Sequence, residues 1–451
     1  MIIGLDCAEP SLVLERWRGE LPTLSALMER GCYGRLRSVV PPITVPAWSC
    51  MMASRTPGDL GVYGFRNRAD HSYDNLVVAD GSAIHAPRLW DLATRYGKPS
   101  IVVGVPGTYP PRPLNGVMVS CFLTPSRESG FTYPPLLARE VEQVVGEYLF
   151  DCTNFRTDDK DDLLRQVYEM TDKRFRLAEH LLETKPWELF AMVEIGLDRM
   201  HHAFWKDGED AILEYLRHLD SLVARLLQQA DDETAVLVVS DHGAKRLEGG
   251  IRINEWLRRE GLLQIAREPD GVSALRDAGV DWSRTTAWGE GGYYSRVFLN
   301  VRGREPEGTV APEDFERVRD ELAERLAAIP GPDGEPLATR VYKPEEIYEE
   351  VNGIAPDLLV YFDDLAWRGV GTIGGEDGVH TFENDTGPDD ANHAQDGLLI
   401  MAGPGIEPGQ AETIMSLLDV APTVLELLGL EPLPSMRGTS LLRGAELSTP
   451  R

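Results

Sequence analysis

Seven residues stand where they could do metal chemistry. Asp198 and His202 are four apart, and one helical turn puts positions i and i+4 on one face, so a carboxylate and an imidazole there can meet one ion. His201 is turned about 100° away by the 3.6-residue period and reads as a supporting or structural histidine. Asp241-His242-Gly243 follows the apolar run 235–240; adjacent residues can both ligate if the chain turns sharply, and Gly243 permits that turn. Asp6 follows the first apolar run at once, and His393 lies in a polar, glycine-rich loop, 374–397, which also holds His380. Taken singly, each has an ordinary structural explanation: Asp6 and Asp198 as caps, His202 and His393 as solvated surface histidines. Together, three aspartates and three histidines make two oxygen/nitrogen donor sets suited to Zn²⁺ and tolerant of Mn²⁺. Two such ions about 3.5–4 Å apart serve in-line displacement at phosphorus or a hydrolysis.

A nucleophile candidate completes the set. In Pro41-Pro42-Ile43-Thr44-Val45-Pro46-Ala47-Trp48 the flanking prolines restrict the backbone around Thr44. A helix beginning near Ala47 would put Thr44 at its positive end, where an attacking alkoxide and a phosphate oxygen are both favoured. A threonine hydroxyl is a weak nucleophile, and coordination to a cation is one way to activate it. A turn or cap role is the ordinary alternative for Thr44. Arg55, Arg66, Arg199, Lys245 and Arg246 lie near these segments as candidate contacts for a substrate.

The elements that must position these groups read as alternating strands and helices. Continuous apolar runs at 1–5, 100–105, 189–195, 235–240, 357–362 and 398–402 predict strands buried on both faces, the habit of parallel sheets. Apolar residues at three-and-four spacing from Ile212 to Leu227, and again over 314–328, predict amphipathic helices. Near the end, Asp419 is placed to cap a helix over 420–428, with Pro422 in its first turn and Gly429 stopping it. The alternation predicts an α/β fold with a doubly wound, mostly parallel sheet, whose ligands gather beyond the carboxyl ends of the strands. Residues 109–185 and 245–348 break the rhythm. They are expected as insertions into a single domain, 1–451, forming a cap or walls of the site, and the second is also long enough to stand as a separate domain.

Composition narrows the partners. With 42% hydrophobic and 26% charged residues, the 451-residue chain suits a globular protein. Forty-five basic against 73 acidic residues give −28, which excludes a nucleic-acid-coating role and disfavours anionic membranes. No apolar run approaches the roughly 20 residues of a membrane span. The opening Met-Ile-Ile-Gly-Leu-Asp has no basic stretch followed by a long apolar one, so no signal peptide is expected. Five scattered cysteines, Cys7, Cys32, Cys50, Cys121 and Cys152, with no CxxC, fit reduced thiols in the cytoplasm. The expected partner is a small-molecule phosphate ester, with no nucleic acid polymer and no membrane.

Motif by motif, the chain resembles the alkaline phosphatase superfamily and, within it, the type I phosphodiesterase/nucleotide pyrophosphatase family. The resemblance is carried by Gly4-Leu5-Asp6, Leu21-Pro-Thr-Leu-Ser-Ala-Leu, Thr44-Val-Pro-Ala-Trp, Thr56-Pro-Gly-Asp-Leu-Gly-Val and Gly196-Leu-Asp198-Arg-Met-His-His202. It continues through Val239-Ser-Asp241-His242-Gly243, Asn392-His393 and the tail from Leu418 to Gly429. It implies that Asp198, His202 and His393 bind one divalent ion and that Asp6, Thr44, Asp241 and His242 bind the other, with Thr44 also the nucleophile of a phosphothreonine mechanism. Three departures are visible. Ala47 stands where nucleotide pyrophosphatases carry an Asn, Leu60-Gly61 replaces a His-Gly, and Cys50 lacks the Cys-x-Pro-x-Arg context of formylglycine sulfatases. The resemblance is closer to a bacterial branch of predicted phosphohydrolases and phosphomutases. A metal-dependent phosphodiesterase or phosphatase is the leading expectation; a phosphomutase and a non-catalytic metal-binding module are the alternatives.

Overall fold

In a computed structural model the described residues are 1–443, except 268, 270, 376 and 377, together with 447–448. The chain divides into two compact units, one made of Met1–Leu60, Ala79–Ala244 and His393–Arg451, the other of Gly61–Val78 and Lys245–Asn392.

The first unit is built on one large sheet. Its centre is five parallel strands in the order Gly116–Val119, Ser100–Val103, Leu189–Glu194, Ile2–Leu5 and Val236–Val239. The last four are buried at every position, because helices cover both faces and leave no side of the pleat for water. One helical group includes Pro22–Arg30, Lys160–Thr184 and Glu209–Leu227; another includes Thr44–Ala53, Leu89–Arg95 and Val420–Leu427. The sheet continues through Asp396–Ala402, which runs antiparallel to Val236–Val239, and then Cys32–Arg37, antiparallel in turn to Asp396–Ala402. The fold is therefore the expected α/β, mostly parallel arrangement, with one reversed strand inside it. An apolar run reports burial on both faces, not direction, so the 398–402 run could not reveal the reversal.

The reversal decides where the chemistry gathers. Asp6, Asp198 and Asp241 follow parallel strands and lie at their carboxyl edge. Because Asp396–Ala402 runs the other way, its beginning lies at that same edge, which brings His393 there from in front of its strand. Cys32–Arg37, reversed twice, ends at that edge and delivers the chain to Thr44.

The run 357–362 is a correction of a different kind. Leu358–Tyr361 belongs to the second unit, in a four-stranded antiparallel sheet with Ala287–Glu290, Ser295–Leu299 and Arg340–Tyr342. That sheet has its own apolar core, including Trp288, Phe298, Leu322 and Val360. Segment 245–348 lies wholly in this second unit, with 61–78 and 349–392. Segment 109–185, expected as an inserted wall, instead extends the main sheet with Gly116–Val119 and Thr132–Tyr133 and supplies the long helix Lys160–Thr184. The acidic patch 158–162 opens that helix: the Asp159 side chain accepts from the Asp162 backbone N–H, and Asp161 and Asp162 sit in the first turn, where the helix dipole favours negative charge.

The terminal helix spans Val420–Leu427 and is followed by Gly429 at φ +69°. Asp419 does not cap it through its side chain. The capping box lies one turn earlier, with Ser416 accepting from Leu418 N and Asp419 accepting from Ser416 N, so a short 3₁₀ turn, Leu417–Asp419, leads into the helix. Among the described residues no helix is long and apolar enough to cross a membrane.

Candidate metal centre

All seven predicted side chains converge in the first unit, and every one of them is buried. Asp198 and His202 lie on the helix Gly196–Phe204, with His202 Nε2 3.3 Å from Asp198 Oδ1. His393 Nε2 is 3.6 Å from the same Asp198 oxygen. His242 Nε2 stands 3.2 Å from Asp241 Oδ2, 3.8 Å from Asp6 Oδ1 and 3.4 Å from Thr44 Oγ1. The His242 and His393 rings stack with centroids 3.8 Å apart. Two groups have donor atoms close enough to share an ion: Asp198, His242 and His393, and Asp6, Asp241 and His242. His242 stands in both. Thr44 is the first residue of its helix, Thr44–Ala53, three positions earlier than the sequence predicts.

The carboxylates share one design. Each gives one oxygen to a protein donor: Asp6 Oδ2 accepts from Trp48 Nε1 at 2.6 Å, Asp198 Oδ2 from Arg199 Nη1 at 2.5 Å, and Asp241 Oδ1 from Cys7 N at 3.3 Å. The other oxygen of each, Asp6 Oδ1, Asp198 Oδ1 and Asp241 Oδ2, is buried and accepts no hydrogen bond from the described residues. Those are the oxygens that face the imidazoles. The imidazoles are oriented from behind: His242 Nδ1 contacts Gly243 O at 3.1 Å and His393 Nδ1 contacts Pro42 O at 2.7 Å. A carbonyl can only accept, so each Nδ1 carries the proton and each Nε2 presents a lone pair toward the carboxylates.

Buried carboxylate oxygens without donors are costly, and the electrostatics register it. Burial pushes the Asp6 carboxyl well above its usual range, helped by the Asp198 charge. Burial and then Asp6 do the same to Asp241. At Asp198 burial also opposes ionisation, but His202 and Arg199 outweigh it and hold the carboxyl well below its usual range. Burial lowers His242 to about 4 and His393 well below its ordinary value. At neutral pH these imidazoles are uncharged donors. Three carboxylates, each with a free oxygen, together with the neutral His242 and His393 imidazoles, each aimed by a carbonyl behind it, fit divalent cations.

Two glycines make room for this. Gly243 has no left-handed φ; a Cβ there would overlap the Glu9 carboxylate and come within 2.5 Å of Asp396 O. It is required for close approach, not for the turn the sequence suggested. A Cβ on Gly4 would lie 2.5 Å from Trp48 Cη2 and 2.8 Å from Val193 Cγ2, so Gly4 lets the indole lie across the first strand and reach Asp6. Gly4→Ala is expected to lower stability by about 1–3 kcal/mol in denaturant titration, through overpacking. An unchanged midpoint would show that Trp48 is not held this way.

A model of the type I phosphodiesterase/nucleotide pyrophosphatase family matches residues 1–389, most of the chain. The chain belongs to that family. With it come membership of the alkaline phosphatase superfamily and the general activity of a phosphoester hydrolase. Two solved structures share the fold. Human ectonucleotide pyrophosphatase/phosphodiesterase 5 is 13% identical, with 97% of this chain and 96% of that one covered and a TM-score of 0.57. Its murine counterpart is 15% identical, with 96% and 95% covered and a TM-score of 0.55. No curated protein sequence matches.

Of the remaining histidines, His201 is buried edge-on against Trp205, with centroids 5.1 Å apart, and lies in neither donor group. His380 belongs to the second unit, its Nε2 2.8 Å from Pro330 O. Among the five basic candidates, Arg199 lies at the site, whereas Arg66, Lys245 and Arg246 belong to the second unit. Sequence reasoning passed over Trp48 and Asp151. Trp48 was within reach, four residues after Thr44 on one helix. Asp151, which holds Arg199, sits in a loop with no periodic or motif signal.

Proposed function

We propose that this member of the family is a two-metal phosphoric ester hydrolase, a phosphodiesterase or phosphatase, that works through a phosphothreonine at Thr44. One observation carries the reading: three buried carboxylates each keep an oxygen without a donor, and those oxygens meet imidazole Nε2 atoms beside the buried Thr44 hydroxyl. Asp198, His202 and His393 hold one ion, and Asp6, Asp241, His242 and Thr44 hold the other. The donor set suits Zn²⁺, with Mn²⁺ the alternative. Divalent ions bound there supply Lewis-acid stabilisation of charge at the transferring phosphoryl group and favour ionisation of the attacking hydroxyl.

The chain's own residues do the rest. Thr44 Oγ1 forms a bond to phosphorus as the bond from phosphorus to the departing alcohol breaks, and the hydroxyl proton ends on that alcohol. Water then cleaves the phosphothreonine, restoring the hydroxyl and releasing phosphate from a monoester or a monoester from a diester. The uncapped first-turn N–H groups of the helix beginning at Thr44 are available to a non-bridging oxygen, whose charge the helix dipole favours. Asp6, Asp198 and Asp241 are pinned by Trp48, Arg199 and the Cys7 amide, so little rearrangement accompanies the step. A small phosphate ester is the substrate class; the net charge of −28 repels a polyanionic nucleic acid outside the local site. The five cysteines are unbridged and buried, which supports a reducing, cytoplasmic setting.

The expected result is release of p-nitrophenol from bis(p-nitrophenyl) phosphate or p-nitrophenyl phosphate, abolished by chelator and restored by Zn²⁺ or Mn²⁺. Protein carrying two ions by metal analysis but turning over neither compound would overturn the reading.

A further inference from the structure

The three carboxylates are held by donors of different kinds. Asp6 is held by a neutral indole and Asp241 by a backbone amide, but Asp198 is held by a full positive charge. A guanidinium beside a cation-binding carboxylate repels the cation, unless that charge is answered on its other side. It is answered here. Asp151 takes Arg199 in a bidentate grip, Oδ1 accepting from Nε at 2.9 Å and Oδ2 from Nη2 at 2.6 Å, while Nη1 turns to Asp198.

This is not a solvated surface pair of the kind that contributes little. The Arg199 side chain is 10% exposed, and its guanidinium lies 4.3 Å from the Phe155 ring centroid. The loop that carries Asp151 is fixed in its turn. Arg174, buried, donates to Phe150 O at 3.0 Å and to Glu194 Oε2 at 3.2 Å, and Glu194 is the last residue of the strand that leads to Asp198. A rigid chain of contacts thus runs from the end of that strand through Arg174 to the 150–151 loop, and back through Arg199 to the carboxylate.

We propose that Asp151 is a positioning residue for one of the two metal positions: through Arg199 it fixes which Asp198 oxygen faces His202 and His393 and offsets the guanidinium charge there. It sets the affinity of the position built on Asp198, His202 and His393 and leaves the position built on Asp6 and Asp241 alone. The inference rests on the two-metal reading above. Loss of the Asp151 charge acts in one direction only, since both the unanswered guanidinium and the loosened carboxylate weaken cation binding.

The test is calorimetric titration of Zn²⁺ into the metal-free full-length chain. Wild-type protein is expected to take two ions. Asp151→Asn is expected to keep one at wild-type affinity and to bind the other about tenfold to a hundredfold more weakly, the usual effect of removing an outer contact of a metal ligand. Asp151→Glu restores it in part. In a His202→Ala background, which already lacks a ligand of that position, Asp151→Asn adds nothing further. Arg199→Lys keeps the charge but cannot bridge both carboxylates, and is expected to show the same one-sided loss should Asp151→Asn fail to fold. Two ions bound at wild-type affinity by Asp151→Asn, or an equal loss at both positions, overturns the proposal. A wild-type chain that binds no Zn²⁺ sinks the two-metal reading instead.

Discussion

Thr44→Ala is expected to abolish turnover while leaving both proposed ions bound. The variant removes one oxygen from a buried helix start and leaves three carboxylates and three imidazoles in place. Loss of a covalent nucleophile costs at least about 10,000-fold in kcat, because the residual rate must come from direct attack by water in a site that only positions and polarises the ester. Thr44→Ser, which keeps the hydroxyl, is expected to retain measurable turnover and to form a phosphoserine. The measurement is kcat on p-nitrophenyl esters beside metal content by mass spectrometry. Thr44→Ala with more than a tenth of wild-type kcat and two ions bound shows that some other group, or water, is the nucleophile.

Removing the proposed divalent cations is expected to have the second large effect, on stability as well as rate. Without ions, Asp6 and Asp241 are buried carboxyls whose ionised forms are penalised by burial and by a neighbouring carboxylate. Ions bound at about a thousandfold excess over Kd each add about 4 kcal/mol, so saturating Zn²⁺ is expected to raise Tm by about 10 °C or more for a unit of this size. The gain depends on pH with a definite sign. His242, lowered to about 4 in the folded chain, gives up a proton that the unfolded chain keeps between about 4 and 6.5. Its contribution is therefore present above 6.5 and lost as pH falls toward 4. The raised carboxyls act oppositely in the metal-free fold, which their protonated forms favour at acid pH and their ionised forms burden as pH rises. Ions pair with the ionised carboxylates and neutral imidazoles, and protons compete for both. The Zn²⁺-induced rise in Tm is accordingly expected to be clearly smaller at pH 5 than at pH 7.5, by scanning fluorimetry. An equal rise at both pH values would place the cation elsewhere.

The candidate donor residues were legible because their spacing is local. Asp198 and His202 are one helical turn apart, Asp241 and His242 are adjacent, and Asp6 ends the first strand; spacing alone nominates them. Outer contacts were less legible. Trp48 reaches Asp6 only because Gly4 leaves the strand bare beneath it, and Asp151 reaches Arg199 across 48 residues of chain. Neither pair has a period or motif, since the partners belong to different elements and meet only after packing.

Residue types and their periodicity by themselves determined which segments form buried strands, which form amphipathic helices, and which side chains are capable of ligation, because burial and hydrogen-bonding capacity are written into each residue. Tertiary structure alone decided that Asp396–Ala402 runs backwards in the sheet and that Leu358–Tyr361 leaves it for another. Strand direction and partner are set by how the whole chain closes its sheet, and an apolar run is equally buried either way. That choice is what carries His393 and Thr44 to the edge where the aspartates wait.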